Sequence, residues 1–323
     1  MKAADLDGLQ ELLWFFARHR VVTVASRTGV LGRLARSPAT PAEVADELDL
    51  DPLAAGKVIR ALAALGLVSA EGRAYRVVET LAPHFSNGDR DLRPFLEHAH
   101  RLYDSWGENL EPWLRGGEWG TRVRTPEEVR AFGEAMRAMG LQTARKVSTS
   151  LDLDGARRLL DVGGGHGQVS RVLCDRWPDL EAVVLDRPEV ADEGRRVLTG
   201  SGLEDRISFV GGDYHVGSDY GSGFDVVLFV SVLHQEVDES AAAMVRHAAA
   251  ALADGGRVIV VDFRIDPEQR EEVLGCLFAI NMRSFGDTHP EPRIRGWLEA
   301  AGLREMTRTD IDPHRWIIAG TKP

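Results

Sequence analysis

Cysteine is scarce in this chain: its 323 residues include two, Cys174 and Cys276, with no CxxC pair. A disulfide framework is therefore not expected. Long apolar runs are also lacking. No stretch approaches the roughly 20 apolar residues of a membrane span, and the Met1 end does not read as a secretory leader. The expectation is a cytoplasmic protein that makes no membrane contact. Positive charge is the third shortage, since 39 Lys and Arg stand against 50 Asp and Glu, for a net charge of −11. That balance argues against a nucleic-acid surface and leaves a small molecule as the expected partner. A hydrophobic content of 44% over this length supports two folded cores.

The most informative run present is LLDVGGGHG, Leu159 to Gly167. Leu159, Leu160 and Val162 suit a buried parallel strand, and Gly163, Gly165 and Gly167 let the backbone turn sharply and approach a ligand closely. Helix amides from about Gln168 would then face that ligand. A dinucleotide fingerprint would need its third glycine at Gln168, whereas this chain reads GxGxG.

Further strand ends follow in order. Asp186 closes EAVVLD, where a doubly wound sheet places a carboxylate that accepts from two ribose hydroxyls; a helix cap before RPEV is the plainer role. ISFVGGDYH delivers Asp213 and Tyr214 together, an acceptor for an exocyclic amine and an aromatic face for adenine. FDVVLFV and GGRVIVVDF supply two more strands, and REMTRTDID with RWIIAGT reads as a closing antiparallel hairpin. The expected fold is α/β, a Rossmann-like sheet of seven strands with interleaved helices. Its glycine turn and Asp186 resemble the S-adenosylmethionine site of class I methyltransferases, with Asp161, Gly163, Gly165, Asp186, Asp213 and Tyr214 on the cofactor side.

Residues 1–80 differ in texture. Leu9, Leu12, Leu13 and Phe16 recur at helical spacing, Thr40 with Glu43 makes a capping-box pattern, and Asp51-Pro52 opens a helix that Gly66 stops before the hairpin LVSAEGRAYRVV. This resembles a winged helix. A DNA reader needs a basic face, but this segment has ten basic and ten acidic side chains.

A winged-helix-like domain (1–80), a helical connector (81–150) and an LLDVGGGHG domain (151–323) together resemble the dimeric small-molecule O-methyltransferases of the plant caffeic acid type and their bacterial natural-product relatives. The resemblance implies a homodimer formed through the first domain, with the Leu9–Phe16 helix as its seam. It also implies a substrate chamber in the aromatic-rich connector, where Phe132 and Met136 of RAFGEAM pack on acceptor and donor; core packing is the alternative for these side chains.

His234 in SVLHQEVDES follows the fourth strand and occupies the position of the family's general base. An imidazole titrating near neutrality can take the proton of a phenol or enol as its oxygen attacks a sulfonium methyl. Asp262 ends the neighbouring strand 28 residues on, where the family places a carboxylate that orients the base. Two departures stand out. Gln235-Glu236 replaces the family's usual Asp-Trp, and Thr288 stands where a second orienting glutamate is expected. They open a rival reading in which His234, Asp262 and His289 hold a metal ion for carbon methylation of a 2-oxo acid; otherwise His289 contacts substrate. A cofactor-binding regulator without catalysis is the third reading.

Overall fold

The computed structural model describes residues 5–88, 90–119 and 125–323. The chain divides into two compact units, Met1–Met139 and Gly140–Pro323. In the first, α1 (Leu6–Leu13) and α2 (Phe15–Arg27) precede α3 (Val30–Arg36), α4 (Pro41–Glu47) and α5 (Pro52–Ala64), and then a hairpin of β1 (Val68–Glu71) and β2 (Ala74–Val77). The caps explain these boundaries. Glu43 and Thr40 bond reciprocally at the start of α4, and Asp51 accepts from the Ala54 amide at 2.8 Å to start α5. Leu31, Leu34, Val44, Ile59 and Leu62 are fully buried in this unit's core.

The apolar stripe expected as one helix across Leu9–Phe16 breaks at Trp14, whose amide donates to the carbonyls of Glu11 and Leu12. Leu13, Trp14 and Phe16 are 64%, 65% and 51% exposed, so this stripe is not spent on its own core. The long α6 (Arg93–Leu114) follows, and α7 (Pro126–Ser150) runs across the boundary between the units.

The second unit alternates strands and helices: β3 (Arg158–Val162), α8 (Gln168–Arg176), β4 (Glu181–Asp186), α9 (Pro188–Leu198), β5 (Ile207–Gly211) and β6 (Phe224–Val230). It continues with α10 (Asp238–Ala251), β7 (Leu252–Phe263), α11 (Val273–Met282), α12 (Glu291–Ala300), β8 (Arg304–Asp312) and β9 (Arg315–Thr321). These strands form one seven-stranded sheet in the order β5-β4-β3-β6-β7-β9-β8, parallel from β5 to β7 and antiparallel beyond. The order reverses at β3, which pairs with β4 on one side and β6 on the other. A crevice at the carboxyl ends of these strands follows from that reversal. Separate apolar cores cover the two faces, as a sheet buried on both sides requires.

One aromatic ring sets the spacing beneath the crevice. A Cβ on Gly167 would meet Phe209 Cζ at 2.9 Å, and one on Gly194 of α9 would meet Phe209 Cε1 at 2.2 Å. The phenyl group of β5 therefore fills the side-chain space of both glycines. Among the described residues, no helix is long and apolar enough to cross a membrane.

Candidate active site

The turn after β3 has the conformation its glycines allow, with φ of +66° at Gly163, +59° at Gly165 and +71° at Gly167. Their surroundings differ. A Cβ on Gly163 would strike Val232 at 2.9 Å, whereas one on Gly165 would meet no protein atom within 4 Å. Gly163 thus serves close packing against the end of β6, and Gly165 faces open space.

Two carboxylates flank the turn. Asp186, 7% exposed, accepts from the Gly165 amide through Oδ2 and from the Arg187 amide through Oδ1, each at 2.8 Å. Arg187, not Asp186, occupies the N-cap position of α9. Asp161 is fully buried; Ser170 donates to its Oδ2 at 2.7 Å, and its Oδ1 has no hydrogen-bond partner. Burial pushes the Asp161 carboxyl up to about 6, with the Ser170 hydrogen bond opposing and the nearby Asp186 charge adding to the rise. A buried acceptor without a donor is costly unless a ligand completes it. The residues therefore suit a cofactor carrying both a ribose and a cationic end.

The adenine pair expected from GGDYH is only partly assembled. Tyr214 is half-buried against the core. Asp213 is exposed, and its Oδ1 accepts from the His215 amide at 2.9 Å and from His215 Nδ1 at 2.8 Å. The opposite ring nitrogen of His215 donates to Glu236 Oε2 at 3.1 Å. Burial works against the His215 charge, but the hydrogen bonds to Glu236 and Asp213 outweigh it and hold its pKa above the ordinary value. This bridge joins the segment after β5 to the segment carrying His234, and no sequence motif announces it.

His234 lies in a short 3-10 turn after β6 and is 4% exposed. Its Nδ1 donates to Asp262 Oδ1 at 2.6 Å, and its backbone amide donates to Asp262 Oδ2 at 3.1 Å. Parallel pairing of β6 with β7 brings the two residues together. Burial would raise the Asp262 carboxyl, yet the His234 charge and hydrogen bonds, with the Phe263 amide, hold it below its usual range. With Nδ1 committed as donor, Nε2 is left as the proton acceptor. Ser231, just before this turn, sits at φ +57°, a strained conformation of the kind that collects at functional sites.

Two aromatic side chains beside the base were not singled out from the sequence. Phe278 of α11 meets the His234 ring edge-on at 4.9 Å, Phe263 does so at 5.3 Å, and the two phenyl rings stack 3.9 Å apart. Phe263 directly follows the strand-end Asp262, a signal that could have found it; Phe278 lies in an apolar helix that carried none.

The facial set of His234, Asp262 and His289 is not assembled. His289 is 4% exposed, and its Nε2 donates to the backbone carbonyls of Leu233 at 3.2 Å and Glu236 at 3.1 Å. Its ring is thus turned to the backbone of the histidine turn and not to the His234–Asp262 pair. Among the described residues, no three His, Cys, Asp or Glu side chains gather as a metal-binding group. In the first unit, Phe132 is partly buried with its ring 5.3 Å from that of His98, and Met136 is 36% exposed.

Comparison with known proteins is consistent across sequence and fold. The family described as O-methyltransferase domain matches residues 108–304. Mitomycin biosynthesis 6-O-methyltransferase of Streptomyces lavendulae is 26% identical, with 94% of this chain and 90% of that protein covered. For the 3-hydroxy-5-methyl-1-naphthoate 3-O-methyltransferase of Streptomyces sahachiroi the identity is 28%, with coverage of 98% and 94%. An O-methyltransferase family protein from Burkholderia thailandensis shares the fold at a TM-score of 0.82 and 24% identity, covering 99% of each chain. Human N-acetylserotonin methyltransferase, solved in complex with S-adenosylmethionine, also gives a TM-score of 0.82, at 21% identity with 100% of this chain and 99% of that one covered.

Proposed function

The chain belongs to the O-methyltransferase domain family, and from that premise we propose that His234 is the general base for methylation of a hydroxyl on a small aromatic or polyketide-like acceptor. The observation that carries this reading is the buried His234–Asp262 pair at 2.6 Å, which leaves Nε2 as the accepting nitrogen. S-adenosylmethionine, the cofactor, supplies an electrophilic sulfonium methyl when bound. Asp186 is read as the ribose carboxylate, the partnerless Asp161 Oδ1 as the acceptor for the cofactor's amino-acid end, and Asp213 with Tyr214 as the adenine contacts. The acceptor's hydroxyl proton passes to His234 Nε2 as its oxygen takes the methyl, and the Asp262 carboxylate stabilises the imidazolium that results. Phe263 and Phe278 offer an apolar wall beside the reacting oxygen, and Phe132 and Met136 are proposed as acceptor contacts.

The domain roles complete the proposal: residues 1–80 for dimer formation, 81–150 for the acceptor chamber and 151–323 for the cofactor. A homodimer through α1 and α2 accounts for the exposed Leu12, Leu13, Trp14 and Phe16. Replacing Leu12 and Phe16 by glutamate should yield a monomer in light scattering; an unmodified protein that is already monomeric at micromolar concentration would remove the dimer from this reading. We place the enzyme in the cytoplasm.

The chemistry is tested with methyl-labelled S-adenosylmethionine and a series of hydroxybenzoates and hydroxynaphthoates. Label should appear on oxygen, and chelators should not alter its transfer. Label found on ring carbon or on nitrogen, with every hydroxyl unmodified, would sink the proposal.

A further inference from the structure

The turn bearing His234 is gripped from a direction that the resemblance does not supply. Gly286 lies against it so closely that a Cβ there would fall 2.3 Å from the His234 carbonyl oxygen and 2.6 Å from the Gln235 carbonyl carbon. Three residues on, His289 donates one N–H to two acceptors, the carbonyls of Leu233 and Glu236, which bracket His234 and Gln235. Carbonyl oxygens only accept, so they select the tautomer with its proton on Nε2. The other ring nitrogen, Nδ1, is buried and has no hydrogen-bond partner. The ring edge packs on Trp297 at 4.7 Å, and nothing in that contact demands an imidazole.

The gripping segment is itself fixed. Thr288, 1% exposed, donates from its hydroxyl to the Gly275 carbonyl at 3.2 Å, and Gln269 donates to the Thr288 carbonyl at 2.8 Å. The turn it holds needs such restraint. Ser231, just before it, sits at φ +57°, and a strained residue persists only where its surroundings over-determine it. Gln235 contributes one restraint by donating to the Ser231 carbonyl at 3.1 Å. Asp262 fixes the His234 ring, but Asp262 belongs to β7; a shift of the turn would pull the ring out of a 2.6 Å hydrogen bond.

We propose that His289, seated by Gly286, is a second positioning residue for the base: it fixes the backbone that carries His234, at the place where a carboxylate on the imidazole was expected and Thr288 stands instead. This inference rests on the reading of His234 as the base. The division of labour is then unusual in its atoms. One partner, Asp262, holds the ring at Nδ1 and the His234 amide, and the other holds the two main-chain carbonyls on either side.

The test is made on the full-length protein, and the NMR readout on its complex with saturating S-adenosylhomocysteine. The hydrogen-bonded Nδ1 proton of His234 should give a low-field proton NMR resonance that is absent from His234→Gln. In His289→Ala and in Gly286→Ala that resonance should broaden or vanish while S-adenosylhomocysteine affinity, measured by calorimetry, stays within about twofold, and kcat on a hydroxynaphthoate that the wild type methylates should fall by roughly 10- to 100-fold. His289→Gln should restore most of both signals, because its amide also donates to carbonyls. A sharp, unshifted resonance with undiminished kcat in His289→Ala overturns the proposal. So does a loss of cofactor affinity in step with the resonance, which would mark a general structural role. If His289→Ala does not fold, Gly286→Ala and His289→Gln decide by the same two readouts. A wild-type protein that methylates no hydroxyl, while the resonance responds to His289 as stated, would fail the oxygen-methylation reading and leave the positioning role standing.

Discussion

The cofactor side and the reactive side of the second unit are built on different principles. The glycine turn is a short-range structure: Asp161 meets Ser170 nine residues on, and Gly165 meets Asp186 across 21 residues within one strand-helix-strand unit. The reactive side is stitched together from afar. Asp262 is 28 residues from His234, and His289 lies 56 residues from its Leu233 acceptor. A local assembly leaves its signature in consecutive residues, whereas a dispersed one appears only after the sheet has brought its parts together. The two sides should accordingly fail in separable ways.

The largest expected effect lies on the reactive side. His234→Ala should lower turnover by about 10² to 10⁴-fold while S-adenosylhomocysteine still binds with unchanged affinity. Calorimetry and a labelled-methyl assay on the same preparation check both halves; a joint loss would mean the sides are not separable. The opposite failure is expected from Asp186→Ala. Losing a charge-assisted acceptor of roughly 1.5–3 kcal/mol should weaken cofactor affinity about 10- to 100-fold, with turnover largely recovered at saturating cofactor. Unchanged affinity in a folded Asp186→Ala protein would withdraw the ribose assignment.

The smallest effect concerns the bridge between the sides. His215 holds its proton more tightly in the folded protein than in the unfolded chain, because Asp213 and Glu236 bond both ring nitrogens. Its contribution to stability is therefore full below the unfolded pKa and is lost as pH rises through the higher folded value. Comparing the Tm of wild type with His215→Gln should show a modest gap in mild acid that closes toward alkaline pH. The side chain is 46% exposed, so solvent screening keeps that gap to a few degrees at most. A gap that widens with pH would mean that the protonated bridge does not stabilise the fold.

Legibility in the sequence followed the same division. Alternating apolar strands and glycine turns were enough to read all seven strands of the sheet, and the run LLDVGGGHG marked the crevice. Strand-end logic also placed His234 beside Asp262, because adjacent parallel strands end at the same edge. Side-chain direction was not readable. Asp213 follows a strand as expected, yet one of its oxygens is turned to His215. His289 follows a loop with no periodicity, so nothing indicated that its ring would face backbone carbonyls in place of a metal or substrate. Phe278 was hidden in a helix whose apolar residues look alike until one of them is found beside the base.

Phe209 carries a consequence for reading genetic data. Because its ring occupies the volume that Gly167 and Gly194 leave empty, the size of three side chains is coupled across a turn, a helix and a strand. Phe209→Ala would open a void at a cost of about 3–5 kcal/mol, while Gly194→Ala would overfill the same volume. In a random mutant library both would score as cofactor-binding defects although neither belongs to the cofactor contacts assigned above. A second substitution that restores the summed volume, Gly194→Ala with Phe209→Leu, should recover binding, so compensating pairs would mark the boundary between steric support and ligand contact.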